Sequence, residues 1–596
     1  MDPFKALSFA DTYELCTSMM GDESENLSDK PLRCIAPTSD GDGIQVVTYV
    51  TGQQYVGISY TWPNPSWRRQ KNSNYTVPIL GTEGSCRESQ HVSRFALAVM
   101  KSIRANPGLS DVVFWVDHEC IDQSNEDEKQ SQIAIMDKIY SKAQFTAILL
   151  EDVELSNEEL DFLMLKRRKI GGDLETHLRL TRRILAGRWF TRAWCAQEMV
   201  LSRGSMIYLH HTEDMNNPIS FALGALTGWI ATAMILDRSL MRLTEPRGLN
   251  GLAQSTNHGM HTTAWAFGVV QKMGCYNIYD KVALVQNLVR APAASRLKRL
   301  PDSKGRENPT AYKNVTKIIN MLALLNEDFS LLQTNHVDGN WLQHSSSQGF
   351  AWAGEPILDD KVSESWHFKD YEINMDHKLE ISEAGIAFKG YAAKVMQVND
   401  WQMFRDNNAL HVTVDGVGKL VHSDWLSNDQ FTPKSPLSFL RDVLYAIEAF
   451  GAKDIYPFFL PSQDNWIERD EFVGDLKSDM VSRYSRVSSP HEALAQGLRF
   501  LQSGRMGLTF ISFSVVRFGN GRPLVVRSNV NRLKGKMLFQ PCIMRPKVFG
   551  SYLLTANAMI FDEEDFGKKG VSHTCVGNLR GFGLIPDERG ITTIRV

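Results

Sequence analysis

A run of five apolar residues without alternation, VVFWV at residues 112–116, constrains the fold of this chain more than any other stretch. A strand with one solvent-exposed face alternates apolar and polar side chains, whereas a strand covered on both faces does not. The run therefore predicts a central strand of a parallel sheet. The polar sequence DHECIDQ follows at once, at residues 117–123. Because ligands bind such sheets at the carboxyl ends of the strands, a site is expected at this point.

Further strands and helices are predicted around this run. Four segments rich in β-branched or aromatic residues predict strands, at residues 44–50, 54–60, 145–150 and 205–211. Apolar residues recur at helical spacing within residues 86–105 and 191–202, which predicts helices there. Strands that alternate with helices through right-handed crossovers form a doubly wound parallel sheet, and this is the predicted α/β fold.

The chain has 596 residues, which is too long for one ordinary domain. Changes in pattern divide it into an N-terminal extension, an α/β domain with a charged insertion at residues 151–187, a mainly helical region and a β-rich C-terminal region. The predicted boundaries of these four parts are 1–31, 32–215, 216–500 and 501–596.

Composition and motifs exclude several classes of protein. The 65 basic and 68 acidic residues nearly balance, so no nucleic-acid partner is expected. Eight scattered cysteines without a C-x-x-C pair argue against a disulfide framework or a zinc cluster, and they favour a cytoplasmic protein. The sequence has no phosphate-binding glycine loop. Residues 218–236 are uncharged but only mildly apolar, which favours a buried helical segment over a membrane contact.

Glu198 is the first candidate for a catalytic group. Trp194, Glu198 and Leu201 are spaced i, i+4 and i+7 on the predicted helix, so they are expected to share one largely buried face. A buried carboxyl group has either a partner or a raised pKa, and both occur at functional sites. The alternative is a structural ion pair with Arg188 or Arg192.

Other polar residues at the predicted sheet edge have equally plain alternatives. Asp117 directly follows the buried strand and can bind a ligand or cap the backbone that follows it. Asp122 and Gln123 can act in the same way or fix their loop. Cys120 and Cys195 are more easily explained as buried packing groups than as nucleophiles.

The two tryptophans of this region can stack on a flat ring or pack in the core. Trp194 lies on the predicted helix. Trp62 follows Tyr60 and Thr61 on the loop after residues 54–60, where Pro63 ends the strand.

Three blocks of this sequence resemble the signature blocks of the fungal heterokaryon-incompatibility (HET) domain. They are YVGISYTW, FWVDHECIDQSNEDEKQSQIAIMDKIYSKA and RWFTRAWCAQEMVL, and the resemblance covers roughly residues 32–211. The segment CYNIYDKVALVQNL resembles the helix that follows in these proteins. HET domains are similar in fold to TIR domains, so the resemblance implies a TIR-like, flavodoxin-like parallel sheet, followed here by a mixed helical and β C-terminal region.

The same resemblance implies an activity. Several TIR domains hydrolyse NAD+ with one glutamate in a segment similar to W-C-x-x-E-[LM], which here is WCAQEM and assigns the catalytic role to Glu198. NAD+ or a related nucleotide would then be the substrate rather than a cofactor, and no metal is implied. The residues expected to surround it are Tyr60, Trp62, Asp117, Cys120, Asp122, Gln123, Arg192 and Trp194.

The family also implies a biological role, namely programmed cell death after non-self recognition in fungi. An incompatibility partner protein and self-association on activation are expected with it. Pro63 and Asn64 replace the small or glycine-containing turn that usually follows the first block. Two hypotheses follow: a domain that kills by hydrolysing NAD+, and a non-enzymatic module that acts through protein contacts.

Overall fold

The structure, a computed structural model, falls into two compact units that are described separately. The first comprises Met1–Ala6 and Leu15–Leu322, and the second Leu7–Glu14 and Ala323–Val596. The residues described are 2, 4–20, 31–61, 76–81, 86–165, 174–211, 216–236, 262–271, 273–289, 300–301, 303, 308–328, 379–405, 410–421, 446–447, 449–452, 510–519, 523–528, 532–542, 555–566, 575–582 and 591–595.

A mixed sheet forms the centre of the first unit. Its strands are β1 (Arg33–Pro37), β2 (Ile44–Thr48), β3 (Tyr55–Ser59), β4 (Thr76–Leu80), β5 (Cys86–Ser93), β6 (Val113–Trp115), β7 (Thr146–Leu155), β8 (Ser205–His211) and β9 (Ile219–Ala222). Their order across the sheet is β5-β4-β2-β1-β6-β3-β7-β8-β9.

The helices described in the chain are α1 (Phe9–Met20), α2 (Arg94–Arg104), α3 (Asp117–Cys120), α4 (Glu126–Ala134), α5 (Met136–Lys142), α6 (Asn157–Leu165), α7 (Leu174–Leu185), α8 (Ala193–Leu201), α9 (Leu223–Leu236), α10 (Thr263–Gln271), α11 (Asp280–Val289), α12 (Pro309–Leu325) and α13 (Glu563–Phe566).

The four central strands β6-β3-β7-β8 are parallel, as the apolar run at residues 112–116 predicts. Every residue of β3 is buried, and Gly57 pairs with Trp115 on one side and with Thr146 on the other. An α/β fold with a parallel core is therefore confirmed. The whole sheet is mixed, however, because β1 pairs antiparallel with β6, and β9 pairs antiparallel with β8. The strand predicted at residues 44–50 lies in this flank and pairs antiparallel with β1.

The helix predicted at residues 86–105 is wrong in its first half. Residues Cys86–Ser93 form β5, and α2 begins only at Arg94. The Ser93 hydroxyl oxygen accepts a hydrogen bond of 3.0 Å from the Ala96 N–H, so this residue caps the helix and sets its start. Residues 86–93 (CRESQHVS) are nearly all polar and show no apolar pattern of either period, so the stripe that begins at Phe95 extended the predicted helix too far toward the N-terminus.

The segment at residues 151–187 also differs from the prediction, because β7 continues to Leu155 before α6 begins. The uncharged segment at residues 218–236 divides into β9 and α9, a helix of 14 residues. None of the helices in the described part of the chain has both the length and the apolarity needed to cross a bilayer.

The second unit contains an antiparallel sheet. Its strands are β10 (Glu380–Ser382), β11 (Gly385–Lys394), β12 (Gln397–Arg405), β13 (Leu410–Val414), β14 (Val417–Val421), β15 (Phe510–Arg517), β16 (Leu524–Ser528), β17 (Met537–Pro541), β18 (Thr555–Phe561), β19 (Cys575–Phe582) and β20 (Ile591–Arg595).

The C-terminal β structure expected from the sequence is thus present. Strands β10 to β14 lie within residues 216–500, which the sequence assigned to a mainly helical region. Asp415 and Gly416 join β13 to β14 with φ angles of 51° and 80°. A two-residue Asp-Gly turn of this kind is a strong hairpin signal, and the helical assignment overlooked it.

Candidate active site

The candidate site lies where two neighbouring parallel strands end. Ser59 is the last residue of β3 and Tyr60 follows it, while Asp117 comes two residues after β6. The Tyr60 hydroxyl donates a hydrogen bond of 3.0 Å to Asp117 Oδ1, and the His118 N–H donates one of 2.7 Å to the same oxygen. Asp117 therefore fixes the loop after β6 and also joins the two strand ends.

Helix α8 covers this edge. The guanidinium of Arg192, just before the helix, donates a hydrogen bond of 3.3 Å to the carbonyl oxygen of Tyr60. The Cys195 thiol contacts the same oxygen at 3.9 Å. The side of α8 that carries Cys195 therefore faces the carboxyl end of β3, and Glu198 lies one turn further along.

Glu198 is buried, with 6% of its surface exposed, and its Oε2 atom has no hydrogen-bond partner among the described residues. Burial, and then the charge of Asp117, raise the pKa of the carboxyl group to about 8. The Ser59 hydroxyl, the Arg192 guanidinium and the Tyr140 hydroxyl act in the opposite direction. The group is thus a carboxylic acid that ionises near neutral pH.

Ser59 and Trp189 form a hydrogen-bonded pair next to this carboxyl group. The indole N–H of Trp189, which is 1% exposed, donates a hydrogen bond of 2.7 Å to the hydroxyl oxygen of Ser59. The hydroxyl proton of Ser59 then remains available for an acceptor, and a hydrogen bond from Ser59 lowers the pKa of Glu198. No sequence pattern selects either residue, because a serine within a buried strand and a tryptophan before a helix are both common in protein cores.

Tyr140 is another group that no sequence pattern marks as part of a site. A Cβ atom added at Gly57 would lie 3.0 Å from its ring, and its ring meets Trp115 edge to face at 5.4 Å. Burial raises the pKa of the Tyr140 hydroxyl well above 10, so it stays protonated. This hydroxyl lies close enough to Glu198 to lower the pKa of that carboxyl group, but it is not aligned for a hydrogen bond with any described residue.

Arg192 supplies positive charge at this edge. Burial lowers the pKa of its guanidinium, but Cys195, Glu198 and Asp117 raise it, and the net change is upward. Arg192 therefore stays cationic beside two acidic groups. A cation in this position can hold an anionic group of a ligand.

The two cysteines of this region are buried thiols. Burial raises the pKa of Cys120 and of Cys195 well above 9. Cys120 accepts a hydrogen bond of 3.3 Å from the Val116 N–H and has no exposed surface. Both thiols therefore stay protonated at neutral pH and pack against the backbone.

The loop after α3 places Asp122 and Gln123 apart from the group around Glu198. Asp122 Oδ1 accepts hydrogen bonds from the N–H and the hydroxyl of Ser124, at 2.9 and 2.5 Å, and these lower the pKa of the carboxyl group. Gln123 is exposed and donates to the carbonyl oxygen of Ile121 at 3.4 Å. Both residues stabilise the loop, and these hydrogen bonds involve no residue of the candidate site.

The two tryptophans that were candidates for stacking have different outcomes. Trp62 lies outside the described residues. The indole N–H of Trp194 donates a hydrogen bond of 3.1 Å to Asp280 Oδ2, at the start of α11. Trp194 is therefore turned toward α11, whereas Glu198 lies among the strand ends, so the shared face expected from their i, i+4 spacing divides between two neighbours.

Strand β5 adds polar groups to this region, which the helix predicted at residues 86–105 did not anticipate. The Ser89 hydroxyl donates to Glu119 Oε1 at 2.6 Å, on the side of β6. The Ser93 hydroxyl donates to Glu151 Oε1 at 2.5 Å, on β7. Since β3 lies between β6 and β7, this end of β5 crosses the edge that carries the candidate site.

A pair of stacked histidines lies on the crossing part of β5. The rings of His91 and His118 are 3.3 Å apart between centroids and 21° from parallel. His118 directly follows Asp117, so the pair borders the candidate site. Within the described residues there is no group of three or more His, Cys, Asp or Glu side chains that could hold a metal ion.

The gathered residues coincide with a known domain. Residues 55–198 match the family model described as Heterokaryon incompatibility protein (HET), a range that begins with β3 and ends at Glu198. This chain contains a HET domain. No curated protein and no solved structure matches it.

The HET domain supplies both the strand ends and the helix of the candidate site. Ser59, Asp117, Tyr140, Arg192 and Glu198 all lie in the matched range. Asp280, the partner of Trp194, lies outside it. The family implies a role in heterokaryon incompatibility, the function after which it is named.

Proposed function

We propose that the HET domain is a TIR-like enzyme that hydrolyses the nicotinamide–ribose bond of NAD+, and that the resulting loss of NAD+ causes cell death during heterokaryon incompatibility. The observation that carries this proposal is Glu198, a carboxyl group buried at the carboxyl ends of parallel strands with one oxygen atom unpaired. Open parallel sheets bind nucleotides at that edge.

The chemistry that we propose needs one carboxylate. The bond between ribose C1′ and the pyridinium nitrogen breaks, its electron pair goes to the ring, and nicotinamide leaves without needing a proton. The remaining sugar is oxocarbenium-like, and the Glu198 carboxylate stabilises it, as a carboxylate does in glycoside hydrolysis. Water then adds to C1′ and loses a proton, which gives ADP-ribose, nicotinamide and one proton.

The raised pKa of Glu198 suits a cationic substrate. A pKa of about 8 means that the free group is mostly protonated at neutral pH. The positive pyridinium ring favours the ionised form, because an opposite charge nearby lowers the pKa of a carboxyl group. Substrate binding would then generate the carboxylate in place.

The other charged and hydroxyl groups have roles in the same proposal. Arg192 is a cation that can hold the diphosphate. The Tyr60 hydroxyl and Asp117, already joined to each other, can bind ribose hydroxyls. Activation through an incompatibility partner protein and through self-association is part of the proposal.

The direct test measures nicotinamide release from NAD+ by the purified full chain over a series of protein concentrations. We expect release by the native protein, and loss of release in Glu198→Gln, which keeps the shape of the side chain but cannot ionise. Glu158→Gln is the matched control, because it makes the same chemical change at an exposed helical position.

Absence of nicotinamide release from self-associated native protein would overturn the enzymatic proposal. Expression in fungal cells separates the remaining alternative. If Glu198→Gln kills cells as the native chain does, the domain acts through protein contacts rather than through hydrolysis.

A further inference from the structure

Helix α8, which carries Glu198, has neighbours on two sides. The side with Cys195 and Glu198 lies against the ends of the strands, as described above. The side with Trp194 and Gln197 contacts the segment that leads into α11 and α11 itself. That second neighbour lies beyond residues 55–198, the range of the matched domain.

The contacts to this segment begin at the first residue of α8. The Gly274 N–H donates a hydrogen bond of 2.7 Å to the carbonyl oxygen of Thr191, and the Ala193 N–H donates one of 3.1 Å to the carbonyl oxygen of Gly274. Gly274 thus forms a parallel bridge at Arg192. Further along, Asn287 on α11 donates to Gln197 Oε1 at 3.5 Å.

These contacts provide what α8 lacks in its own sequence. Arg192 stands at the N-cap position and provides no capping hydrogen bond from its side chain. The helix has nine residues, and helices shorter than about 12 residues are marginal by themselves in water. The carbonyl oxygen of Gly274 satisfies the first N–H of the helix, so this distant segment takes over the role of the cap.

The acceptor of the Trp194 hydrogen bond is itself well anchored. Asp280 opens α11, and its N–H donates to the carbonyl oxygen of Asn277 at 3.0 Å. The next residue, Lys281, is buried, donates to the carbonyl oxygen of Gln271 and lies 5.7 Å above the ring of Tyr312. The Asp280 carboxylate is therefore a fixed point against which Trp194 is held.

We infer that Asp280 is a positioning residue for Glu198: through Trp194 it fixes the orientation of α8, and with it the carboxyl group one turn further on. The inference rests on the proposed function for its catalytic meaning. The placement of the carboxyl group is nevertheless measurable without a substrate. The functional unit accordingly extends beyond the matched range to at least α11.

The test uses the full chain with Trp194→Phe, which removes the indole N–H and keeps a ring, and with Asp280→Ala, which removes the acceptor. Trp229→Phe is the matched control. The indole N–H of Trp229 donates a similar hydrogen bond of 2.8 Å to the hydroxyl oxygen of Thr181, away from α8. Each change is also made in the Glu198→Gln background.

The first readout is the pKa of Glu198. It is taken from the pH dependence of the difference in unfolding free energy between each variant and its Glu198→Gln counterpart. We expect the pKa of Glu198 to shift in Trp194→Phe and in Asp280→Ala. The double variant should show the same shift as either single variant, because both changes break one interaction. Trp229→Phe should lower the free energy of unfolding and leave the pKa of Glu198 unchanged.

The second readout is NAD+ cleavage. We expect kcat to fall on the order of tenfold to a hundredfold in both variants, with KM changed by less than about threefold, because a displaced carboxyl group loses transition-state contact rather than binding. If the native chain cleaves no NAD+, the proposed function is wrong, but the pKa of Glu198 still tests whether Asp280 positions this carboxyl group.

The inference would be overturned if the pKa of Glu198 stayed unchanged in both variants while their free energy of unfolding fell by as much as that of Trp229→Phe. If neither variant folds, Asp280→Asn and Asp280→Glu replace them. The Asn variant keeps an oxygen acceptor at the same distance, so the pKa of Glu198 should stay unchanged. The Glu variant displaces the acceptor by one methylene group, so the pKa of Glu198 should shift. Equal pKa values of Glu198 in the Asn and Glu variants would also overturn the inference.

Discussion

The indole N–H of Trp189 donates a hydrogen bond of 2.7 Å to the hydroxyl oxygen of Ser59, at the end of the central strand β3. Both groups are buried, so neither exchanges this partner for water. Since the oxygen of Ser59 is thus occupied as an acceptor, its proton points to other groups, and the pKa of Glu198 responds to it. A serine whose sequence context is unremarkable therefore connects the core to the candidate catalytic group.

Replacement of Ser59 by Ala should have two effects. The pKa of Glu198 should rise above its native value of about 8, because a hydrogen-bond donor to the carboxylate is lost. The free energy of unfolding should fall by roughly 1–3 kcal/mol, because the Trp189 N–H is left buried without an acceptor. Thr181→Ala removes the acceptor of Trp229 and is the control: it should lower stability and leave the pKa of Glu198 unchanged.

Replacement of Glu198 by Gln should stabilise the protein above pH 4.5. The folded-state pKa of about 8 exceeds the ordinary value of 4.5, so folding favours the protonated acid. This contribution is fully present below pH 4.5 and is lost as the pH rises to about 8. The advantage of the Gln variant should therefore grow by about 1.4 kcal/mol per pH unit across that window. Denaturant unfolding at several pH values measures it, and a pH-independent difference would contradict the burial of an ionisable group.

Under the proposed function, the rate of NAD+ cleavage should depend on pH through the ionisation of Glu198. We expect kcat/KM to increase through a pKa near 8, because this ratio reports the free enzyme and only the ionised carboxylate stabilises a positive sugar. The pKa seen in kcat should be lower, since the bound cationic substrate favours ionisation. A kcat/KM that falls with rising pH over this range would instead point to an acid as the working form.

Replacement of Gly57 by Ala should disturb the site through Tyr140. The added methyl group would lie 3.0 and 3.1 Å from two carbon atoms of that ring, so the ring has to move. We expect a loss of about 1–3 kcal/mol in the free energy of unfolding, as in other overpacked cores, together with a shift in the pKa of Glu198. Gly224→Ala on α9 is the control, because nothing lies within 4 Å of its added atom and stability should be unchanged or slightly higher.

The cysteines should differ sharply in reactivity. Cys120 and Cys195 are buried, and burial raises the pKa of both thiols, so an alkylating reagent should modify them only after unfolding. Cys86 is exposed at the start of β5 and should react in the native protein. Mass spectrometry of the native and the denatured chain after alkylation distinguishes these sites, and early modification of Cys195 would show that α8 opens.

The features that the sequence could predict are those with a local signal. The unbroken apolar run before Asp117 identified a strand of the parallel core, and the spacing of Trp194 and Glu198 identified a helix. Their geometry relative to each other needed the structure. Spacing placed Trp194 and Glu198 on one face, yet the indole N–H follows a hydrogen bond to Asp280, a residue far along the chain that no periodicity connects to α8.

Other parts of the site had no local signal at all. Tyr140 and Ser59 look like ordinary core and strand residues, and their importance arises from the buried carboxyl group beside them. The polar face of β5 was misread as the beginning of a helix because Phe95 and the apolar residues after it suggested a helical stripe. Only the hydrogen bonds of Ser89 and Ser93 to two different carboxyl groups reveal that the strand crosses the edge.

The central position of β3 has a consequence for how activity could appear during synthesis. On each side β3 pairs with a strand formed later in the chain, as Gly57 does with Trp115 and with Thr146. Such non-local pairing makes folding slow and dependent on the complete unit. A nascent or prematurely terminated chain can hold Ser59 and Asp117 but lacks the helix that brings Glu198 to them. Under the proposed function, NAD+ hydrolysis would therefore begin only after the helix that carries Glu198 has been translated, and the cell that makes the chain would not be exposed to the activity before that point.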